Sequence, residues 1–268
     1  MPGELAMPAA PPQRYHVRAR VVAHEPLGGK YRRMVLEAPQ VAAHARPGQF
    51  IHVDCSQGWV PFWRRPFSLS GRSGDCISFI YAVVGPGTRN LAKRRLAEEV
   101  DFLGPLGNGF HLHPTASPLI FVGGGYGVTP FFWLLEQAAG RAVHLIHGAR
   151  SASELLRAAP NGAQVMYTTD DGSYGERGLV TDALRRRLSS PSARQAAVYA
   201  CGPRPMLRAV ALLAREFGVP CQVAMEELMA CGVGGCFGCA VKVRGAYRLV
   251  CRDGPVFAAD EVDWDEPA

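Results

Sequence analysis

Four thiols crowd into the stretch ACGVGGCFGCAVKVRGAYRLVC, from Ala230 to Cys251: Cys231, Cys236, Cys239 and Cys251, spaced C-x4-C-x2-C-x11-C. Thiols bind soft metals, close disulfides or act as nucleophiles, and spacing helps to separate these uses. The first three cysteines reproduce the plant-type arrangement for a [2Fe–2S] cluster. Glycines between them leave room for bridging sulfides and let successive main-chain N–H groups face sulfur, which stabilises a negatively charged cluster. Structural zinc usually takes two short-spaced pairs, and here only Cys236 and Cys239 form one. Disulfides are disfavoured because the first residues, MPGELAMPAAPPQ, lack the basic-then-apolar order of an export signal and are expected as a loose tail. Cys55, Cys76 and Cys221 match no motif and are expected as buried structural thiols.

Other chemistry-bearing stretches lie upstream. RRPFSLSG, Arg64 to Gly71, can offer a guanidinium to phosphate, a ring to a flat cofactor and a hydroxyl to a ring nitrogen, although an ordinary strand with an exposed Arg reads the same way. YAVVGPGTRNL runs from Tyr81 through Gly85, Gly87 and Thr88 into a helix-like stretch, where main-chain N–H groups make a ready anion site. GPLGNGF, Gly104 to Phe110, reads equally well as a tight loop or a ligand contact. VGGGYGVTP, Val122 to Pro130, sits at a strand-to-helix junction where Gly123, Gly124, Gly125 and Gly127 let the main chain approach a ligand. It departs from the G-x-G-x-x-G dinucleotide fingerprint, since Val128 stands where the third glycine belongs, and no acid ends the next strand. Cys201 of YACGP reads, on its own, as a plain buried strand cysteine.

Three regions of different texture must position these residues. Short β-rich runs separated by turns from Tyr15 to about His113 predict a small antiparallel barrel, residues 14–114. Strands alternating with helical patterns predict a parallel-sheet α/β domain over 115–218. Regular periodicity then fades, leaving 219–268 as a small C-terminal cysteine-bearing domain. SPLIFVGGGYGVTPFFWLL, Ser117 to Leu135, is long and uncharged, but its glycines and Pro130 predict strand, turn and helix, not a membrane span. The formal charge of +6 comes from 29 basic residues, all but Lys30, Lys93 and Lys242 being Arg, scattered along the chain. Even Arg185 to Arg187 fit a solvated helix face better than a phosphate footprint, so no nucleic-acid partner is expected. The acidic end, DEVDWDE, is expected as a solvated terminus rather than a docking surface.

The order RPFS, GPGT, GPLGNGF, GGGYGVTP and YACGP resembles the ferredoxin-reductase family: a flavin-binding antiparallel barrel followed by a pyridine-nucleotide α/β domain. EELMACGVGGCFGC, LVCRDGPVF and EVDWDE narrow the resemblance to electron-transfer subunits of two-subunit, NAD-linked dihydroorotate dehydrogenases, over about Tyr15 to Asp265. The resemblance implies that Arg65 binds FAD pyrophosphate and Ser68 its isoalloxazine, while Pro66 and Phe67 shape that strand. Tyr81 joins this cofactor-binding set, and Gly87 and Thr88 face the pyrophosphate. Gly123, Gly124, Gly125 and Gly127 line the nicotinamide approach, Cys201 sits at the reacting edge, and the four clustered cysteines hold the [2Fe–2S] group. Thr129 stands where such proteins often carry Ala, and the missing ribose-binding acid leaves NAD against NADP undecided by residues; the resemblance favours NAD.

Electron counting gives the implied mechanism. Nicotinamide exchanges a hydride, an iron–sulfur cluster one electron, and a flavin converts between the two. The resemblance implies a cytoplasmic heterotetramer in pyrimidine (UMP) biosynthesis, in which an FMN-containing dihydroorotate dehydrogenase catalytic subunit supplies the electrons and NAD+ receives them. The runner-up is a flavin/iron–sulfur reductase subunit serving a hydrogenase-like or transhydrogenase-like complex, or an oxygenase. The short gap between Cys239 and Cys251 has room only for a hairpin, which speaks against a full ferredoxin domain. A non-enzymatic iron–sulfur sensor is opposed by the intact RPFS and GGGYGVTP stretches.

Overall fold

A computed structural model describes residues 13–157 and 162–265, so the expected N-terminal tail falls, apart from Gln13, outside the described residues. The first region closes into a barrel of β1 (Tyr15–Gly28), β2 (Tyr31–Glu37), β3 (Phe50–Val53), β4 (Arg65–Ser73), β5 (Cys76–Ala82) and β6 (Glu99–Leu106). Every pairing is antiparallel, in the order β1-β2-β5-β4-β3-β6 with β6 returning to β1. Two short helices, α1 (Pro39–His44) and α2 (Pro86–Leu91), fill its connections. Alternation drives closure: Ala19, Val21, Met34, Leu36, Phe79 and Phe102 turn into one apolar core, while Arg18 and Arg20 point to solvent. Strand β3 departs from this pattern because all four of its residues are buried. Ile51 and Val53 fill the barrel, whereas Phe50 belongs to the core of the following domain. The outer face of β3 is therefore an internal seam.

The second region contributes β7 (Leu119–Gly124), α3 (Thr129–Gln137), β8 (Val143–Ala149), β9 (Gln164–Thr169), β10 (Glu176–Arg177), α4 (Val180–Leu188), β11 (Ala197–Cys201), α5 (Arg204–Glu216) and β12 (Cys221–Ala224). A hairpin of β13 (Ala240–Val243) and β14 (Ala246–Leu249) follows, then β15 (Val256–Ala258). The large sheet runs β10-β9-β8-β7-β11-β12-β15, parallel except that β15 lies antiparallel to β12. Central β7 is buried on both faces, as parallel strands covered by helices must be. Helix α5 buries Leu207, Val210, Ala211, Leu213 and Ala214, a stripe at helical spacing, and truncating Leu207 to Ala would cost about 2–5 kcal/mol. The sheet order reverses between β7 and β11, which opens a crevice at their C-terminal ends.

The stretch from Ser117 to Leu135 is strand, a 3-10 turn over Gly125–Val128, then helix. Among the described residues no helix is long and apolar enough to cross a membrane. The segment 219–268 does not stand apart from the sheet, because both β12 and β15 belong to it. Strands of four and three residues are too short to show periodicity, which is why the alternating texture ended early. The acidic end is pinned rather than free. Glu261 pairs with Arg244 at 2.6 Å, Asp265 with Arg208 at 2.6 Å, and Trp264 donates its indole N–H to the Ala259 carbonyl at 2.8 Å.

Candidate functional site

The cluster loop lies between β12 and β13. Its first thiol, Cys231, accepts hydrogen bonds from three main-chain N–H groups: Val233 at 3.5 Å, Gly235 at 3.3 Å and Cys236 at 3.4 Å. Burial opposes ionisation of Cys231, yet these donors and the Cys236 thiol outweigh it and bring its pKa down to about 6. The chain turns through the left-handed region at Gly232 (φ 68°), Gly234 (φ 89°) and even Phe237 (φ 60°) to aim those N–H groups. Hairpin β13–β14 then brings back the fourth thiol, with the Val250 N–H donating to the Cys239 carbonyl at 3.1 Å. Cys239 and Cys251 are buried and hydrogen-bonded to one another; burial first, and then Cys239, push Cys251 up to about 12. Cys231 thus interacts with Cys236, and Cys251 with Cys239 and with Cys231, so the thiols form one connected group. Among the described residues no three His, Cys, Asp or Glu side chains close on a single metal-ion point. A connected group of four thiols, with three N–H donors on one sulfur, fits a two-iron cluster.

The module around these thiols is clamped to the barrel. Asn108 of GPLGNGF donates its amide N–H groups to the carbonyls of Asp253 (3.1 Å) and Val256 (2.8 Å), and its amide oxygen accepts from the Val256 N–H at 2.9 Å. This loop therefore acts as a clasp between the barrel and the cluster module. On the other side Gly232 rests on His52, whose imidazole burial pushes down to about 4.

The RPFS strand is β4. Pro66 and Ser68 stand opposite His52 and Phe50, so both share the outward face of the barrel that meets the rest of the chain. Phe67 turns the other way and stacks on Phe79 at 5.1 Å, and it is tilted against Tyr81 at 5.7 Å. The side chain of Tyr81 is likewise inside the barrel, with its hydroxyl 2.7 Å from His24 Nε2. Tyr81 is enclosed by the barrel, whereas Phe67 keeps part of its surface exposed. Arg65 and Gly87 are brought together: a Cβ on Gly87 would lie 3.0 Å from Cys55, 3.1 Å from Pro61 and 3.9 Å from the Arg65 side chain. Thr88 is largely occupied at home. Its hydroxyl accepts the N–H groups of Val84 and Gly85, each at 3.0 Å, which caps the turn.

A cavity of about 650 Å³ opens at the sheet's reversal point, with Tyr31, Gly125, Tyr126, Asp170, Met206 and Glu226 among its walls. Three of the four glycines there are demanded by packing. A Cβ would meet Val128 at 2.8 Å from Gly123, the Met206 sulfur at 2.6 Å from Gly124 and the Cys201 carbonyl at 2.6 Å from Gly127. Gly125 alone has open space and a φ of 55°. Its carbonyl is held by a fully buried histidine, His147 Nε2, at 3.0 Å. Cys201 is buried at the end of β11, and its thiol lies 3.9 Å from Glu226 Oε1, while the Tyr126 hydroxyl donates to Glu226 Oε2 at 3.3 Å. Glu226 is open to the cleft but crowded by its walls, and that desolvation raises its pKa above the ordinary carboxylate range. Burial also pushes Cys201 well up, so the thiol stays protonated.

Two acids of this cleft escaped the sequence reading. Glu226 follows β12, whose Ala224 pairs with Cys201, and only that register reveals it. Asp170 follows β9, one strand later than the fingerprint places its acid.

Comparison with known proteins follows the same division. Residues 226–263 match the family described as the iron-sulfur cluster binding domain of dihydroorotate dehydrogenase B, and residues 121–211 match the oxidoreductase NAD-binding domain. A dihydroorotate dehydrogenase B (NAD(+)) electron transfer subunit from Caldanaerobacter subterraneus is 36% identical over 253 residues, 93% of this chain and 99% of that protein. One from Bacillus caldolyticus is 41% identical over 242 residues, 85% of this chain and 91% of its own length. Among solved structures, one describing flavin-based electron bifurcation in an NADH-dependent reduced ferredoxin-NADP oxidoreductase superposes with a TM-score of 0.81 at 28% identity, covering 93% of this chain and 91% of that one. The ferredoxin reductase of carbazole 1,9a-dioxygenase shares the fold, with a TM-score of 0.66 at 21% identity over 80% of this chain and 68% of its own.

Proposed function

The chain belongs to the family of dihydroorotate dehydrogenase B electron transfer subunits, and on that premise we propose that it delivers electrons from an FMN-containing dihydroorotate dehydrogenase catalytic subunit to NAD+. It is an oxidoreductase subunit that completes its chemistry only beside that partner, in a heterotetramer of cytoplasmic pyrimidine (UMP) biosynthesis. Bound FAD and a [2Fe–2S] cluster supply the exchange between hydride pairs and single electrons.

The chain's own residues prepare each end of that route. Cys231, Cys236, Cys239 and Cys251 hold the iron, and the N–H groups of Val233, Gly235 and Cys236 stabilise sulfur-borne charge at Cys231. Arg65 and the Gly87 main chain, which lie side by side, take the FAD pyrophosphate, and Ser68 orients the isoalloxazine from the outward face of β4. The Gly123 to Gly127 turn admits the nicotinamide nucleotide to the cleft, and His147 fixes its Gly125 carbonyl. Glu226 stands beside the Cys201 thiol, and the Tyr126 hydroxyl, donating to Oε2, orients its carboxyl. Asp170 supports NAD over its phosphorylated form, because a carboxylate at the ribose repels a 2′-phosphate.

The observation that carries this reading is the gathering of three thiols on a loop seated against His52, beside the RPFS strand, with the fourth returned to them by the β13–β14 hairpin. The test is anaerobic co-expression with the catalytic subunit, then addition of dihydroorotate while NADH formation is followed. Coupled NADH production, abolished by Cys236→Ser, is the expected result. A chain that holds FAD and iron and is reduced by NADH, yet couples to no dihydroorotate oxidation, overturns it. Its likeness to the ferredoxin-NADP oxidoreductase subunit supports a second reading, in which the same scaffold serves another redox partner.

A further inference from the structure

One buried imidazole remains without a task in this scheme. His52 lies on β3, where Ile51 and Val53 fill the barrel and Phe50 and His52 face outward. Outward here does not mean toward water, since His52 is 0% exposed. Within the sheet its neighbours are Pro66 of the RPFS strand and Leu103 of β6. From above, the cluster loop descends onto the ring so closely that a Cβ on Gly232 would lie 2.3 Å from Nδ1. The contact residue is thus the one immediately after the first cluster thiol.

Neither ring nitrogen closes a hydrogen bond of normal geometry, although the main chain of Arg64 and of Cys231 reaches the ring. Buried polar atoms are nearly always satisfied, so an imidazole open at both nitrogens asks for a partner. A filler would be apolar at this seam, as Phe50 and Pro66 are on the same face. The side chain that stands there instead brings an N–H donor to the root of a loop built to carry negative charge.

We propose that His52 is a positioning residue for the iron–sulfur cluster: in the loaded protein its imidazole N–H hydrogen-bonds the Cys231 segment and fixes that segment against the flavin strand. The inference rests on the reading that the four thiols hold a [2Fe–2S] cluster. A donor at this point favours the electron-rich state, because hydrogen bonding around the sulfurs is one of the factors that set a cluster's potential. It also ties the cluster loop to β3, the direct neighbour of the strand that carries Ser68, at a point separate from the Asn108 clasp.

The test uses the full-length chain, expressed anaerobically and loaded with FAD and iron, as wild type, His52→Leu, His52→Phe and His52→Gln. Iron and labile sulfide per chain, the EPR spectrum of the dithionite-reduced protein and the fraction of cluster reduced at a fixed NADH/NAD+ ratio are measured. The apolar variants are expected to keep FAD, to shift the EPR g-values and to lower the reduced-to-oxidised ratio of the cluster by roughly tenfold, the effect of one hydrogen bond to a charged group. His52→Gln, which retains a long N–H donor, recovers most of that ratio. Wild-type spectra and ratios in His52→Leu and His52→Phe would reduce His52 to a space-filler and overturn the proposal. Where neither apolar variant retains iron, retention by His52→Gln upholds it and loss from all three overturns it. A wild-type chain without a [2Fe–2S] signal defeats the underlying reading instead, independently of His52.

Discussion

Two glycine-rich turns serve this molecule, and they need their glycines for opposite reasons. In the nucleotide turn, Gly123, Gly124 and Gly127 are small because something already occupies the space a side chain would take: Val128, Met206 and the Cys201 carbonyl. In the cluster loop, Gly235 has nothing within 4 Å of a would-be Cβ and Gly234 owes its identity largely to positive φ; Gly232, also at positive φ, is the one glycine of the three pressed by a buried neighbour, His52. The first turn is a finished piece of packing that receives its ligand as a surface. The second is a backbone conformation that aims N–H groups at a thiol and stays open where a cluster belongs. Packing sets one site in advance, whereas chain conformation and a metal complete the other.

The sharpest break in that contrast is Gly127→Ala. Its Cβ would lie 2.6 Å from the Cys201 carbonyl, so the turn must move, at a cost of about 1–3 kcal/mol. We expect the KM for NADH to rise about tenfold with a lower Tm, while iron content stays at the wild-type level; an unchanged KM would show that the turn is not packed as described.

Glu226 probes the boundary, because it walls the nucleotide cleft and stands at the root of the cluster loop. Its raised pKa means that the folded chain holds this proton more tightly than the unfolded one. The associated stability is complete below the ordinary carboxylate value and is lost as pH rises through the raised one. Wild type should therefore lose Tm relative to Glu226→Gln across that window. The effect is small because the carboxyl is open to the cleft, and parallel Tm curves for the two proteins would refute it. The smallest effect is expected from Gly235→Ala in the metal-free chain, whose stability should stay within about 0.5 kcal/mol of wild type; a larger drop in denaturant titration would mean that the loop is packed after all.

The sequence was most legible where a local rule had a local cause. Barrel alternation, the glycine-broken run from Ser117 to Leu135 and the thiol spacing each depend on residues a few positions apart. What it hid was pairing across the chain. Glu226 follows a four-residue strand with no readable period, and it becomes a neighbour of Cys201 only through the β11–β12 register. His52 alternates correctly for an outward residue, but nothing nearby says that the outside is covered by Gly232, which lies far along the chain. Tyr81 and Phe67 carried cofactor-like chemistry, and the sequence did not show that they pack on one another, with Tyr81 fully inside the barrel. The acidic end is solvated at Asp260 and Asp265, but its ion pairs with Arg244 and Arg208 were hidden because those partners lie outside its own segment.

The pairing of β12 with β15 has an architectural consequence. Ala224 and Val256 are direct partners in an antiparallel ladder, so the chain leaves the sheet and returns to it within about 5 Å. Everything between them, thiols included, is the loop of one long hairpin. Such a loop can change length without rerouting the sheet, yet Val241, Leu249 and Val250 share one core with Val198 and Val223, so the iron-bearing piece is an insertion held by the sheet's own packing.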